Sequence, residues 1–257
     1  MCLVVILNRV HPDYPVVIAA NRDEFYARPA TGPMVLHDDP RVVGGRDEIS
    51  GGTWMALTPT GLFVAVTNQR TYSAPDAARR SRGPLVVDAA KTGSPQAVTA
   101  MLRAMNPRDY NDFNLIYGDT DGMFVAYARS GATAIELEAV PDGVQVLPND
   151  RLNSPTFQKV HRARALAPGD GSLDQLAAML RDHELPPLAA VQRPPATSAF
   201  THELAQRFEA LCIHTDVYGT RSSAIVALAP GRVARYLFAD GPPCETEMID
   251  ATELVSA

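Results

Sequence analysis

Cys2-Leu3-Val4-Val5-Ile6-Leu7 and Val16-Val17-Ile18-Ala19-Ala20, the latter running on into Asn21-Arg22-Asp23-Glu24, decide how this chain folds. Both apolar runs are rich in β-branched residues, as strands are. Arg9-Val10-His11-Pro12-Asp13-Tyr14-Pro15 separates them, a polar stretch with prolines that can continue neither strand. The expected unit is an antiparallel hairpin with Arg9 near Val16 and paired numbers summing to 25, which sets Cys2 opposite Asp23 on one face. Arg22 then points to the other face. Both strands are apolar on both faces, so the sheet they enter should be covered on two sides.

Cys2 follows the initiator Met1. Its side chain is small enough for methionine removal, which would leave a thiol and a free α-amine on one residue. An α-amine with an unperturbed pKa of about 7.7–8.0 acts as a base near neutral pH. A nucleophile that carries its own base is an established activation scheme.

Composition sets the outer limits. A chain of 257 residues can bury a substantial core, and without repeats or composition shifts it is expected to form a single domain over 1–257. A net charge of -6 and a pI near 5.5 argue against nucleic acid or anionic membrane as partner. Arg79-Arg80-Ser81-Arg82 reads as a solvated loop. No apolar run approaches the ~18–20 residues of a spanning helix, and no signal-peptide pattern opens the chain. A cytoplasmic protein is expected. Cys2, Cys212 and Cys244 are too few for a disulfide framework. Cys212 reads as an apolar filler and Cys244 lies in a turn. The histidines show no metal-like spacing, so neither a metal nor another cofactor is expected.

Further along, Gly44-Gly45 and Gly51-Gly52 frame a second hairpin through Trp54 that ends at Asn68. Helices are expected over 84–90, 95–105, 157–166 and 173–181, with Ser94 capping the second. Strands are expected over 113–117, 123–128, 132–137, 224–228 and 233–238, and a Pro-rich flap over 185–195. This order suggests layered α/β architecture. Three more groups could gather around Cys2. Asn68 at a strand end and Asn149 at a strand-to-helix junction can donate to an oxyanion. Arg221 could hold a thiolate or a substrate carboxylate.

Asn21-Arg22-Asp23-Glu24 resembles the signature of the NRDE family, the transport and Golgi organisation group. The likeness extends through Met1-Cys2, Gly51-Gly52-Thr53-Trp54, Thr67-Asn68-Gln69-Arg70, Arg80-Ser81-Arg82-Gly83, Phe113-Asn114-Leu115, Leu152-Asn153-Ser154-Pro155 and Tyr218-Gly219-Thr220-Arg221. That family in turn resembles N-terminal nucleophile hydrolases of the choloylglycine hydrolase and penicillin V acylase type. The resemblance implies a four-layer αββα sandwich and cleavage of linear amides by an N-terminal cysteine. Carried over by position, it makes Cys2 the nucleophile and Asp23 the partner of the α-amine. Asn68 and Asn149 become oxyanion donors, and Arg221 the late arginine. The acylases carry an arginine three residues before the aspartate, where this chain has Ala20; Arg22 adjoins the aspartate instead. Arg22 and Trp54 are taken as substrate contacts.

The function expected is hydrolysis of a carbon–nitrogen amide in a small-molecule amide or acylated substrate. The alternative is a non-catalytic carrier of haem or lipid on the same fold. The resemblance associates eukaryotic members with membrane traffic, lipid metabolism and haem handling. Trp54, Phe63 and Met101 are apolar enough to line such a pocket, though such residues are more often core.

Overall fold

A computed structural model describes residues 3–256, and the expected hairpin lies at its centre. β1 (Leu3–Asn8) pairs antiparallel with β2 (Val16–Phe25). Leu3 faces Asn21 and Asn8 faces Val16, so paired numbers sum to 24 rather than 25. The turn causes this slip. Arg9 leaves the strand with a left-handed φ of 56°, and its N–H donates to Pro15 O at 2.7 Å, so pairing begins one residue earlier. The expected Cys2–Asp23 pairing concerns a residue outside those described.

The next strands are β3 (Ala30–Asp38), β4 (Arg41–Asp47), β5 (Met55–Leu57) and β6 (Phe63–Asn68), followed by helices α1 (Arg82–Lys91) and α2 (Pro95–Ala104). Then come β7 (Phe113–Gly118), β8 (Met123–Ala128), β9 (Glu136–Ala139) and β10 (Gly143–Leu147). Helices α3 (Gln158–Leu166), α4 (Leu173–Leu180) and α5 (His202–Arg207) precede β11 (Tyr218–Ala229), β12 (Arg232–Ala239), β13 (Ile249–Asp250) and α6 (Thr252–Ser256). Helix starts follow side-chain chemistry: Ser94, Ser172 and Thr201 each accept from a backbone N–H of the first turn, at the heads of α2, α4 and α5.

All strands pair antiparallel in two sheets, ordered β10-β1-β2-β11-β12-β13 and β3-β4-β5-β6-β7-β8-β9. The period-two alternation of β1 and β2 divides their side chains between two cores. Val4, Ile6, Ile18 and Ala20 join the core shared with the second sheet, while Leu3, Val5, Leu7, Val17 and Ala19 pack with residues of α3 and α4. Helices α1 and α2 pack on the second sheet. The result is the expected αββα sandwich. Each buried Val, Ile or Leu stabilises it by roughly 1.5–3 kcal/mol.

Sequence pattern did not indicate the hairpin of β3 and β4, because Gly32-Pro33 and Gly44-Gly45 interrupt it with residues that strands disfavour. Close approach explains the glycines of β4. A Cβ on Gly45 would strike the Trp54 indole, and one on Gly44 the Met55 carbonyl. The expected strand over 132–137 forms later, as β9. No helix among the described residues is long and apolar enough to cross a membrane.

Candidate active site

The two sheets meet where β6 and β10 end, and hydrogen bonds lace those ends together. Asn149 Nδ2 donates to Asn68 O at 2.8 Å, and Arg70 N–H donates back to Asn149 O at 2.8 Å. Asn114, fully buried on β7, donates to Thr67 Oγ1 and to Asp150 O at 3.0 and 2.8 Å. Gln69 Nε2 donates to Asp150 Oδ1 at 3.1 Å. Both expected asparagines are thus drawn to one place, Asn149 buried and Asn68 exposed. One N–H of the Asn149 amide is engaged by Asn68 O, and the second is available to another acceptor.

The end of β2 sends neighbouring residues to opposite faces. Asn21 Nδ2 donates to Leu180 O at 3.0 Å and Leu211 O at 2.8 Å, and its Oδ1 accepts from Ser223, tying β2 to the helical layer. Arg22 turns the other way, its guanidinium 4.3 Å from the Trp54 ring centroid. Burial lowers the Arg22 pKa, against the negative charges of Glu24 and Asp47. Asp23 is buried, and its Oδ1 accepts from Thr220 at 2.7 Å. Opposite Asp23, β11 is bulged: Thr220 pairs with Asp23 and Ser222 with Arg22, leaving Arg221 between them. The Arg221 guanidinium donates to Tyr26 O at 2.7 Å and lies over the Tyr26 ring.

Asn68 and Asn149 line a cleft of about 120 Å³ with Arg70, Lys159, Phe208 and Tyr218. Tyr218 links it to β2, since its hydroxyl donates to Asp23 O at 3.1 Å. Aromatic rings form one wall: Phe208 stands 5.5 Å from Phe200 and 5.2 Å from Tyr218, between ring centroids. Arg22, Trp54 and Arg221 are not among the residues lining this cleft. Arg22 and Trp54 contact each other, and Arg221 contacts Tyr26.

Lys159 is the residue that sequence reasoning missed. It is fully buried, and among the described residues its Nζ has no hydrogen-bond partner. Beside it, Glu209 accepts from Arg70 Nη1 at 3.2 Å and from the Lys159 backbone N–H at 3.1 Å. Arg70 also lies 4.3 Å over the Phe157 ring. The available signal was a lysine directly before Val160 on the packed face of α3.

Two expectations about charged and sulfur groups change. In the Arg79-Arg80-Ser81-Arg82 stretch only Arg80 and Ser81 are exposed; Arg79 donates to Tyr110 O at 2.7 Å, and burial lowers the Arg82 pKa. Cys212 is buried as expected but is not an inert filler. Its Sγ lies 3.8 Å from Cys244 Sγ, His214 reaches both sulfurs, and His183 stands near His214 and Cys244. Spacing hid this cluster because its members come from separate loops. Burial and the neighbouring Cys244 push the Cys212 thiol up to about 12.

A family model described as Transport and Golgi organisation 2 matches residues 1–237. The Transport and Golgi organization protein 2 homolog of Bos taurus is 30% identical over 244 residues, covering 86% of this chain and 84% of that protein. The Homo sapiens homolog is 28% identical over 241 residues, with coverage of 86% and 84%. Among solved structures, a single-residue variant of conjugated bile acid hydrolase from Clostridium perfringens matches with a TM-score of 0.53 at 12% identity, over 100% of this chain and 94% of that one. That likeness is one of fold, and the fold is that of the N-terminal nucleophile hydrolases.

Proposed function

Since the chain belongs to the Transport and Golgi organisation 2 family, on an N-terminal nucleophile hydrolase fold, we propose that it is an N-terminal cysteine hydrolase of linear carbon–nitrogen amides. One observation carries this reading. The described start of β1, Leu3, lies between β2, which leads from Asn21 to Asp23, and β10, which leads from Leu147 to Asn149. The two strands that flank β1 thus lead to a buried carboxylate, Asp23, and a buried amide donor, Asn149.

In the proposed reaction Met1 is removed, and the Cys2 α-amine takes the thiol proton. The thiolate attacks the amide carbonyl, while the free Asn149 N–H and the Asn68 side chain donate to the oxyanion. Collapse breaks the carbon–nitrogen bond, the amine leaves with the proton held by the α-ammonium, and an acyl-thioester remains. Water then attacks with the α-amine as base, releasing the acid and restoring the thiol. Asp23 holds the α-ammonium. The aromatic wall receives an apolar acyl or aryl group. Lys159 and Arg70 line the cleft, with Arg70 paired to Glu209, and suit a substrate that also bears a negative charge.

The test is the intact mass of the native chain before and after exposure to a β-lactone electrophile. The expected result is a chain lacking Met1 with one adduct mapped to Cys2, and an amide turnover lost in Cys2→Ala. Retained Met1, or a free Cys2 inert beside a reactive control enzyme, overturns the reading in favour of a non-catalytic carrier.

A further inference from the structure

Outside the cleft, metal-ligating side chains from separate loops come close together. His183 follows α4, Cys212 and His214 lie between α5 and β11, and Cys244 stands in the turn after β12. Cys212 Sγ is 3.8 Å from Cys244 Sγ and 3.5 Å from His214 Nε2, and His214 Nε2 is 3.2 Å from Cys244 Sγ. The donor atoms of His183, His214 and Cys244 all lie within 4.8 Å of one another.

A tetrahedral zinc site with bonds of about 2.3 Å to sulfur and about 2.05 Å to nitrogen has S···S edges near ~3.8 Å and S···N edges near ~3.6 Å. The Cys212–Cys244 and Cys212–His214 distances fit those edges, and the 3.2 Å between His214 and Cys244 is somewhat shorter. A pair of hydrogen-bonded thiols would also fit the sulfur separation. It would not call for one imidazole nitrogen within 3.5 Å of both sulfurs. A disulfide would need the sulfurs at about 2.05 Å. The donor set matters as much as the spacing, because thiolate with imidazole selects zinc-like ions over the hard cations that prefer carboxylates. A cavity of about 530 Å³, lined among others by His183, His214, Cys244 and Glu245, leads to the cluster.

We propose that Cys212, His214 and Cys244 form a two-sulfur, one-nitrogen site for Zn2+, distinct from the hydrolase cleft and with His183 at its edge. On binding, each thiol gives its proton to solvent and each sulfur forms a bond to the metal, so two protons leave per ion. Ligands drawn from separate loops make binding of the ion hold those loops together. The site clamps the segment that carries Cys212 and Ile213. Cys212 N–H donates to Asp182 O at 2.8 Å, and Ile213 N–H donates to Thr220 Oγ1 at 2.9 Å. Thr220 in turn donates to Asp23, so the clamp steadies the underside of the cleft.

The full chain, metal-stripped and kept reduced, is titrated with Co2+ as a spectroscopic stand-in and then with Zn2+. The expected result is one ion per chain, the visible bands of tetrahedral cobalt with a near-ultraviolet thiolate charge-transfer band, and two protons released per Zn2+. Cys244→Ser and His214→Ala, both on partly or fully exposed residues, should keep the fold by circular dichroism. Each should weaken Zn2+ by more than the ~10–100-fold that loss of an outer hydrogen-bond partner costs. Absence of the charge-transfer band, or zinc affinity unchanged in both folded variants, overturns the proposal. So does a Cys212–Cys244 disulfide that forms in the isolated chain and persists when Zn2+ is supplied. Reactivity at Cys2 is read separately by the β-lactone adduct, so either result leaves the other interpretable.

Discussion

The cleft and the sulfur–imidazole cluster are both polar, yet they hold their polar atoms in opposite ways. In the cleft, the amide of Asn149 and the carboxylate of Glu209 are tied into the protein, to backbone atoms and to Arg70. In the cluster, the Cys212, Cys244 and His214 side chains contact one another. Groups tied to backbone are preorganised, as donors to a developing charge must be. Ligating groups that meet one another gain when an ion stands between them. The cleft is therefore a place where geometry is fixed before a ligand arrives, and the cluster a place where the ligand fixes geometry.

The largest expected effect would break the comparison at the cluster. Zn2+ at 1,000 times its Kd should raise unfolding stability by about 4 kcal/mol, measured by thermal or denaturant melting, with no gain in Cys244→Ser. A zinc-independent melt would put the cluster on the same footing as the cleft. Next comes the preorganised donor. Asn149→Ala should lower kcat on any amide found to turn over by about 10²–10³, because both the oxyanion donor and the tie to Asn68 are lost. Unchanged kcat would remove Asn149 from the chemistry.

How much of this was legible depends on where each residue stands in the chain. Asn68, Asn149 and Asp23 sit at strand ends inside short motifs, and strand ends are where a layered sandwich gathers its side chains. The two-sided apolar runs of β1 and β2 called for a sheet covered on both faces, and the αββα sandwich was what the family resemblance implied. The one-residue slip in their register was hidden, because it turns on the left-handed backbone of Arg9, which no side chain announces. The cluster was hidden for a different reason. Cys212 and Cys244 are 32 positions apart, and only the packing of separate loops brings them together. Lys159 was masked by its setting, since a lysine on an amphipathic helix ordinarily reaches solvent.

Lys159 sharpens the comparison from inside the cleft. Its buried ammonium has no hydrogen-bond partner among the described residues, a state that costs free energy in the absence of a ligand. Replacing it with an apolar side chain of similar length should therefore move stability and function in opposite directions. Lys159→Met is expected to raise unfolding free energy by about 1–4 kcal/mol, while raising KM for an anionic amide more than it lowers kcat. Lower stability in this variant would mean that the ammonium is satisfied in the folded chain, and the substrate role would fail with it.

The smallest effect calibrates both sites against an ordinary ion pair. Asp47 accepts from Arg28 Nη2 at 2.6 Å and Nε at 3.2 Å, and from the N–H groups of Ile49 and Ser50. Burial alone would raise its pKa, but these hydrogen bonds outweigh burial and hold it below the ordinary 3.8. A carboxylate whose folded pKa is depressed binds fewer protons folded than unfolded around that pKa. Its contribution is complete above pH 3.8 and is lost as pH falls through the lower folded value. Asp47→Asn should cost about 1 kcal/mol at neutral pH, and the gap to the unmodified chain should close in acid below 3.8. Because the negative charge of Asp47 also acts on Arg22, the same variant probes the setting of Arg22 without touching the lining of the cleft. A gap that stays constant through the acid range would assign the loss to packing, and the support of Arg22 would then rest on Glu24.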